Sequence, residues 1–271
     1  MLHHEVGGDG AGPRVVLVHG FTQTLRSWDA VAEALAARHQ VVRVDLPGHG
    51  GSAGVRLGFE EAAAAVGDAG GRAAYVGYSL GGRLALRLAL DRPDLVTALV
   101  LLGASPGLAD PAARTARREA DEALAASVER DGTDAFLGRW LAQPLFARLR
   151  PSAADLAGRS ANRPEDLAAA LRLLGTGTQA PLWDRLADLA MPVLLLAGAE
   201  DAAFSDVARR MAAAARPGPV GGGRPLPADA GLRESEVAVA AVPGAGHAAH
   251  LERPDRFVAQ LEAFLDRHRQ P

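Results

Sequence analysis

The pentapeptide Gly77-Tyr78-Ser79-Leu80-Gly81 follows an apolar run, Ala73 to Val76, and precedes a stretch of helical character, Arg83 to Asp91. A G-x-S-x-G sequence between a strand and a helix is typical of a nucleophile elbow, a sharp turn that exposes the serine hydroxyl at the carboxyl end of the strand. The peptide N–H of Leu80 would then point into the site from a helix N-terminus and stabilise negative charge there. A glycine-rich turn that merely contains a serine is the alternative interpretation.

Two later apolar runs, Met191 to Gly198 and Val237 to Val242, each lead into a residue that complements a nucleophilic serine, Asp201 after the first and His247 after the second. The chain order serine, aspartate, histidine is the order of an α/β-hydrolase triad. In such a triad His247 takes the serine proton, while Asp201 fixes its tautomer and stabilises the imidazolium. Glu200 and Asp206 are alternatives for the acid, but the position of Asp201 in the loop after the strand favours it.

An earlier strand-like run, Arg14 to Val18, leads into His19, Gly20 and Phe21. In this fold the loop after that strand supplies a second backbone donor. The sequence therefore predicts that the N–H groups of Phe21 and Leu80 together form an oxyanion hole. His19 resembles a catalytic base, but we expect it to brace the loop instead.

Composition excludes several classes of chemistry. The 271 residues suffice for one large α/β domain that carries an insertion. The chain has no cysteine, which excludes disulfides and thiolate nucleophiles, and all 29 basic residues are arginine, which excludes lysine Schiff bases. A net charge of −3 gives no reason to expect nucleic-acid binding. Because neither a signal peptide nor a run long enough to span a membrane is seen, we expect a cytoplasmic protein.

Apolar strand-like runs alternate with alanine-rich helical stretches along most of the chain, which predicts an α/β fold with a mostly parallel sheet and helices on both faces. The predicted helical stretches are Trp28 to Arg38, Phe59 to Gly67, Arg83 to Asp91, Val207 to Ala215 and Arg256 to Arg267.

Residues 106–188 contain no strand-like run, and their segments Pro111 to Glu129, Thr133 to Leu141, Ala153 to Gly158 and Pro164 to Leu174 are helical in pattern. We therefore expect a core of residues 1–105 and 189–271, with 106–188 inserted as a helical cap that excludes water and contacts substrate. Residues 217–234 are rich in glycine and proline, which predicts a mobile surface loop or, alternatively, a partner-binding segment.

Segments along nearly the whole chain resemble the 2-succinyl-6-hydroxy-2,4-cyclohexadiene-1-carboxylate synthases of the menaquinone pathway, a family within the α/β-hydrolase superfamily. The most specific of these lie in the predicted cap, because caps carry substrate recognition: they are Trp140 to Phe146 and Gly175 to Trp183. The other similar segments are Asp45 to Ser52, Gly77 to Arg83, Pro106 to Leu108 and Gly244 to His250.

The resemblance implies a lyase that eliminates pyruvate without a metal or cofactor. Ser79, activated by His247 and Asp201, would act as the base. The substrate carries several carboxylates, which guanidinium groups bind well. The resemblance assigns substrate binding to an aromatic and arginine set: Tyr78, Arg83, Arg117, Trp140 and Arg159.

Some of these assignments have alternatives. Arg83 lies one helical turn past Ser79 and can face the same site. Arg114 or Arg118 could face inward in place of Arg117, and Trp140 could be an ordinary core residue of the cap. For the whole protein, the alternatives are a serine hydrolase acting on a small carboxylated ester or a C–C bond, and a catalytically silent binding module. The intact triad argues against the last.

Overall fold

A computed structural model of the chain describes residues 1–215 and 236–268. Seven strands form one sheet in the order β1-β3-β2-β4-β5-β6-β7. Strand β1 pairs antiparallel with β3, and all the other pairs are parallel. This sheet confirms the predicted architecture. The strand bounds are His4–Gly8 (β1), Arg14–Val18 (β2), Gln40–Val44 (β3), Ala73–Tyr78 (β4), Val96–Leu102 (β5), Val193–Gly198 (β6) and Val237–Val242 (β7).

The described residues also form ten α-helices, joined by loops and short 3₁₀ turns. The helix bounds are Asp29–Leu35 (α1), Phe59–Gly70 (α2), Leu80–Asp91 (α3), Pro111–Asp131 (α4), Thr133–Leu141 (α5), Ala153–Ser160 (α6), Pro164–Leu174 (α7), Ala202–Ala215 (α8), Ala249–Glu252 (α9) and Pro254–Arg267 (α10). None of these helices is long and apolar enough to cross a membrane.

Helices cover both faces of the sheet, so its central strands are buried along their whole length. Successive side chains of a strand point to opposite faces. On β4, Tyr75 accordingly packs in the cluster that includes α2, α3 and α8, whereas Val76 packs in the cluster that includes α1 and α10. The sheet is thereby fixed between two apolar layers, and the loops at the carboxyl ends of its strands are held in place.

One strand was not predicted, and several helices begin or end at other residues than predicted; helix α8 shows the largest shift at its start. Strand β1 was not predicted, because an edge strand with the sequence His-Glu-Val-Gly-Gly has no apolar pattern and is half-exposed. Helix α8 was expected to begin at Val207, but it begins at Ala202. The Asp201 carboxylate accepts a hydrogen bond from the Phe204 N–H at 3.2 Å, which caps the helix five residues earlier than its apolar pattern suggests.

Between β5 and β6 the chain forms helices α4 to α7 and no strand. Phe136 and Leu167 anchor a separate apolar cluster in which α4, α5 and α7 meet. The division into a core of residues 1–105 and 189–271 and a cap of residues 106–188 stays a prediction, and we use "cap" for residues 106–188 below. The loop predicted at residues 217–234 lies outside the described residues.

Candidate active site

Ser79 occupies a sharp turn between β4 and α3, with φ +50° and ψ −110°. Positive φ is uncommon for a residue other than glycine and persists only where the surroundings enforce it. A Cβ at Gly77 would lie 2.6 Å from the carbonyl oxygen of Gly81, and one at Gly81 would lie 2.3 Å from the carbonyl oxygen of Val18. The turn thus closes on itself and against β2, and only glycine fits at its flanks.

His247 follows β7, and Asp201 follows β6. Nδ1 of His247 lies 2.7 Å from Oδ2 of Asp201, and both side chains are buried. This contact occupies Nδ1, so Nε2 is the ring nitrogen left to exchange a proton with a substrate or a serine. His247 and Ser79 line the same cavity.

The two alternative acids lie elsewhere. The Glu200 carboxylate pairs with Arg148, and the Asp206 carboxylate pairs with Arg209 on the surface. Of the three acids considered for the triad, Asp201 is therefore the one that contacts His247.

Two glycines that the sequence analysis did not single out, Gly103 and Gly198, leave the space that the His247 ring and its loop occupy. Gly103, directly after β5, has φ +56°, and a Cβ there would lie 2.8 Å from Cε1 of His247. A Cβ at Gly198, the last residue of β6, would lie 2.0 Å from the carbonyl oxygen of Gly246. The signal available in the sequence was a glycine at the carboxyl end of two adjacent strands. On its other side the His247 ring contacts Phe204, with ring centroids 4.5 Å apart.

The two residues predicted to supply oxyanion donors, Phe21 and Leu80, both border the cavity, and the role of their N–H groups stays a prediction. Leu80 is the first residue of α3, where an N–H has no acceptor within the helix. Phe21 lies in the loop after β2, which we call the oxyanion loop (residues 19–24), and both residues line the cavity with Ser79. His19 braces this loop, since its Nδ1 lies 2.8 Å from the Gly20 carbonyl and its Nε2 accepts from the Leu46 N–H at 3.0 Å.

The cavity has a volume of about 360 Å³ and lies between the carboxyl ends of the strands and the cap. That volume is within the range of small-molecule sites. Its walls are largely apolar, with Leu124, Phe146 and Leu171 contributed by the cap. The residues predicted for the site that line it are Phe21, Ser79, Leu80, Arg83, Arg117, Trp140 and His247.

Arg83 brings a buried positive charge to this cavity. Its guanidinium donates to Oε1 of Gln179 at 2.9 Å and to the Leu174 carbonyl at 2.7 Å, both neutral acceptors. Burial, together with the nearby Arg117, lowers the pKa of Arg83 to about 9, so the group stays charged at neutral pH. A buried cation without a carboxylate partner is costly, and a bound anion would relieve that cost. Gln179, which the sequence analysis did not single out as a site residue, orients this group.

Arg117 is the arginine of helix α4 that lines the cavity. Its Nε donates to Oδ1 of buried Asp121 at 2.8 Å, and its side chain is 40% exposed. Arg114 instead donates to the carbonyls of Leu108 and Ala109. Arg118 donates to one carbonyl in the loop after α7 and to a threonine of its own helix. Of the three candidates, Arg117 is thus the one that lines the cavity, and its contact with substrate stays a prediction.

The aromatic side chains divide between the cavity and the layer behind it. Trp140 lines the cavity and contacts Phe21, with ring centroids 5.2 Å apart. Tyr78 is buried below the cavity, with its ring 5.3 Å from that of His247, and burial raises the pKa of its hydroxyl. Tyr78 is not among the residues that line the cavity, and its role in substrate binding stays a prediction.

Arg159 also lies outside the lining of the cavity. It is buried, and it donates to Oδ2 of Asp155 at 2.8 Å and to Oγ1 of Thr22 at 2.5 Å. Direct contact of Arg159 with substrate, which the resemblance implies, stays a prediction.

Within residues 1–215 and 236–268, no group of three or more histidine, aspartate or glutamate side chains could hold a metal ion. His250, which has metal-pair spacing from His247, is buried between aromatic rings. Its centroid lies 4.4 Å from that of Trp28 and 4.5 Å from that of Tyr78. Burial lowers the pKa of His250 well below its usual value, so this ring is neutral at physiological pH.

Comparison with known proteins identifies the family to which this fold belongs. Residues 15–260 match the family model described as the alpha/beta hydrolase family. The chain is 28% identical over 283 residues to the protein PHYLLO of Arabidopsis thaliana, covering 97% of this chain but 16% of that much longer protein. It is 33% identical over 267 residues to a 2-succinyl-6-hydroxy-2,4-cyclohexadiene-1-carboxylate synthase of Serratia proteamaculans, covering 95% of each chain.

A solved structure described as MenH from S. aureus superimposes with a TM-score of 0.85 at 26% identity, covering 100% of both chains. Fold, length and sequence thus agree over the whole protein, and the resemblance seen in the sequence is confirmed. The chain belongs to the α/β-hydrolase family and, within it, to the 2-succinyl-6-hydroxy-2,4-cyclohexadiene-1-carboxylate synthases.

Proposed function

We propose that this protein is a carbon–oxygen lyase of menaquinone biosynthesis. It eliminates pyruvate from 2-succinyl-5-enolpyruvyl-6-hydroxy-3-cyclohexene-1-carboxylate and leaves 2-succinyl-6-hydroxy-2,4-cyclohexadiene-1-carboxylate. The observation that carries the proposal is that buried Arg83, which has only neutral acceptors, lines the same cavity as Ser79 and His247. The named activity of the relatives supports the same reaction.

In the proposed mechanism, Ser79 removes the ring proton next to the succinyl carbonyl and passes its own hydroxyl proton to Nε2 of His247. The electron pair of the broken C2–H bond forms a C2=C3 double bond, the C3=C4 pair shifts to C4=C5, and the C5–O bond to the enolpyruvyl group breaks. The departing enolate takes the proton from Nε2 of His247 and becomes pyruvate, while Ser79 keeps the proton that it removed from the ring, so the triad returns to its starting state. Asp201, 2.7 Å from Nδ1, stabilises the imidazolium that forms.

Negative charge develops on the succinyl carbonyl oxygen as the proton leaves. The N–H groups of Phe21 and Leu80 would stabilise it, each contributing about 10²- to 10³-fold in rate. Arg83 and Arg117 would bind carboxylates of the substrate, and Trp140 would pack against its ring. The largely apolar walls exclude water, which strengthens these interactions. No covalent acyl-enzyme is required.

The test is to incubate the protein with the enolpyruvyl substrate and to follow pyruvate with lactate dehydrogenase. We expect release by the wild type and a loss of several orders of magnitude in both Ser79→Ala and His247→Ala, with folding preserved. Unimpaired elimination by Ser79→Ala would contradict the serine-base mechanism. The location in the cytoplasm stays a prediction from the sequence.

The alternative, hydrolysis of a small carboxylated ester or a C–C bond, uses the same triad and is tested with a fluorophosphonate. Labelling of Ser79 without turnover of generic esters supports the lyase. Rapid ester turnover, together with failure to release pyruvate, supports the hydrolase.

A further inference from the structure

Thr22, in the oxyanion loop, holds an unusual backbone conformation next to the proposed donor Phe21. Its φ is +69°, and among the described residues Ser79 is the one other non-glycine residue with positive φ. For a β-branched residue this conformation costs about 1–3 kcal/mol and persists only where the surroundings impose it. Of these two residues, Ser79 carries the candidate catalytic hydroxyl, and Thr22 directly follows the proposed oxyanion donor Phe21.

All three polar groups of Thr22 are hydrogen-bonded, and the residue is fully buried. Its N–H donates to Nε2 of His49 at 3.3 Å. Its carbonyl oxygen accepts from Nδ2 of Asn162 at 2.8 Å, and its hydroxyl accepts from Nη1 of Arg159 at 2.5 Å. Asn162 and Arg159 belong to the cap, about 140 residues away in sequence. Two of the three hydrogen bonds that hold Thr22 therefore come from the cap, and the third comes from the core.

The groups that hold Thr22 are themselves fixed. Asn162 also accepts the Gly50 N–H at 2.9 Å, and Arg159 is paired with Asp155 at 2.8 Å. Nδ1 of His49 lies 2.9 Å from the Pro47 carbonyl, which makes Nδ1 the protonated nitrogen and Nε2 the acceptor. A neutral His49 is required for this arrangement. Burial lowers the pKa of His49 to about 3, so the ring is neutral at physiological pH.

We propose that Arg159 and Asn162 are positioning residues, which hold Thr22 so that the preceding Phe21 N–H stays directed into the cavity. The oxyanion hole then forms only when the cap is packed against the oxyanion loop. Arg159 acts on the reaction through Thr22 rather than by touching substrate, in keeping with its burial outside the cavity lining. The inference rests on the proposed function in one respect, namely that Phe21 stabilises an oxyanion.

The test compares Thr22→Val, which removes the hydroxyl that Arg159 binds and keeps the branched shape, with Thr22→Ser, which keeps the hydroxyl. Asn162→Asp is the second probe, since it keeps the acceptor for Gly50 and removes the donor to the Thr22 carbonyl. Arg56→Met is the matched control, because Arg56 pairs with the cap residue Asp166 without touching the oxyanion loop.

Two readouts are needed: kcat and KM for pyruvate release, and the dissociation constant of phenylboronic acid. The boronic acid adds to Oγ of Ser79, whose proton passes to His247, and places a boron oxygen in the oxyanion hole. Because one donor contributes about 10²- to 10³-fold, we expect its misalignment in Thr22→Val and Asn162→Asp to lower kcat by about 10- to 100-fold. The boronate should bind correspondingly more weakly, with KM changed less than about threefold. Thr22→Ser and Arg56→Met should behave as the wild type.

Unchanged kcat and boronate affinity in both Thr22→Val and Asn162→Asp would overturn the proposal, as would a rise in KM alone, which would indicate direct contact of Arg159 with substrate. Failure of the wild type to bind the boronate would also overturn it. If no form releases pyruvate but boronate binding still weakens in the two variants, the positioning role stands and the proposed reaction is wrong. Thermal unfolding identifies any variant that has simply lost its fold.

Discussion

Replacing Arg83 with methionine tests whether this residue serves anion binding or the stability of the fold. Methionine fills much of the same space and carries no charge. A pKa lowered from 12.5 to about 9 corresponds to about 5 kcal/mol by which the buried site disfavours the charged form. The replacement removes that cost. It also leaves the Gln179 and Leu174 oxygens without their donor, at about 1–3 kcal/mol each. We therefore expect the free energy of unfolding to change by no more than a rise of about 3 kcal/mol or a fall of about 1 kcal/mol.

Activity should respond very differently. Leaving a substrate carboxylate unpaired in a buried site costs about 3–5 kcal/mol, which is about 10²- to 10⁴-fold in kcat/KM. Urea titration gives the stability, and the coupled pyruvate assay gives the kinetics. Arg87→Met is the matched control, because Arg87 lies on the same helix but pairs with Glu60 and Asp91 at the surface. Strong destabilisation of Arg83→Met with unchanged kcat/KM would refute the assignment of Arg83 as an anion site.

Two further predictions follow from buried groups near the site. Gly103→Ala should lower kcat by at least about 10²-fold, because φ is +56° and the new Cβ would lie 2.8 Å from Cε1 of His247; wild-type kinetics would contradict this. Stability should fall as the pH drops below about 6.5, because burial lowers the pKa of His19, His49 and His250, so the unfolded chain binds more protons. For His49 the loss continues to a pH of about 3, at up to about 1.4 kcal/mol per pH unit. Urea titrations at pH 7.5 and 5 measure it, and equal stabilities would contradict it.

Local patterns were enough to predict the main elements of this fold. Helices Thr133–Leu141 and Pro164–Leu174 have the bounds that the sequence indicated, as do strands Arg14–Val18 and Val237–Val242. Alternation and helical periodicity depend on neighbouring residues alone, so they can be seen without a structure. The glycine-flanked turn at Ser79 is equally local, since its conformation follows from which side chains are missing.

Contacts between distant residues could not be read in the same way. The bond from Arg159 to Thr22 spans 137 residues, and no pattern in the sequence shows which donor this arginine selects. Position 103 requires glycine because the ring of His247 lies against it, and His247 belongs to a loop more than a hundred residues later in the sequence. Arg83 was easier to place, because the elbow sets the start of its helix and so the direction of its side chain.

The sheet itself sets the dimensions of the candidate triad. Ser79 follows β4, Asp201 follows β6 and His247 follows β7, so the three sites are arranged across four adjacent strands. Neighbouring strands lie about 4.8 Å apart, and the histidine reaches back over the ends of β5 and β6, which Gly103 and Gly198 leave bare. The spacing between strands thus sets the distances between the reacting groups. Before β5 and β6 join the sheet, the catalytic side chains are not yet at their proper distances from one another. The rate of fluorophosphonate labelling during refolding would therefore report when these two strands have taken their places in the sheet.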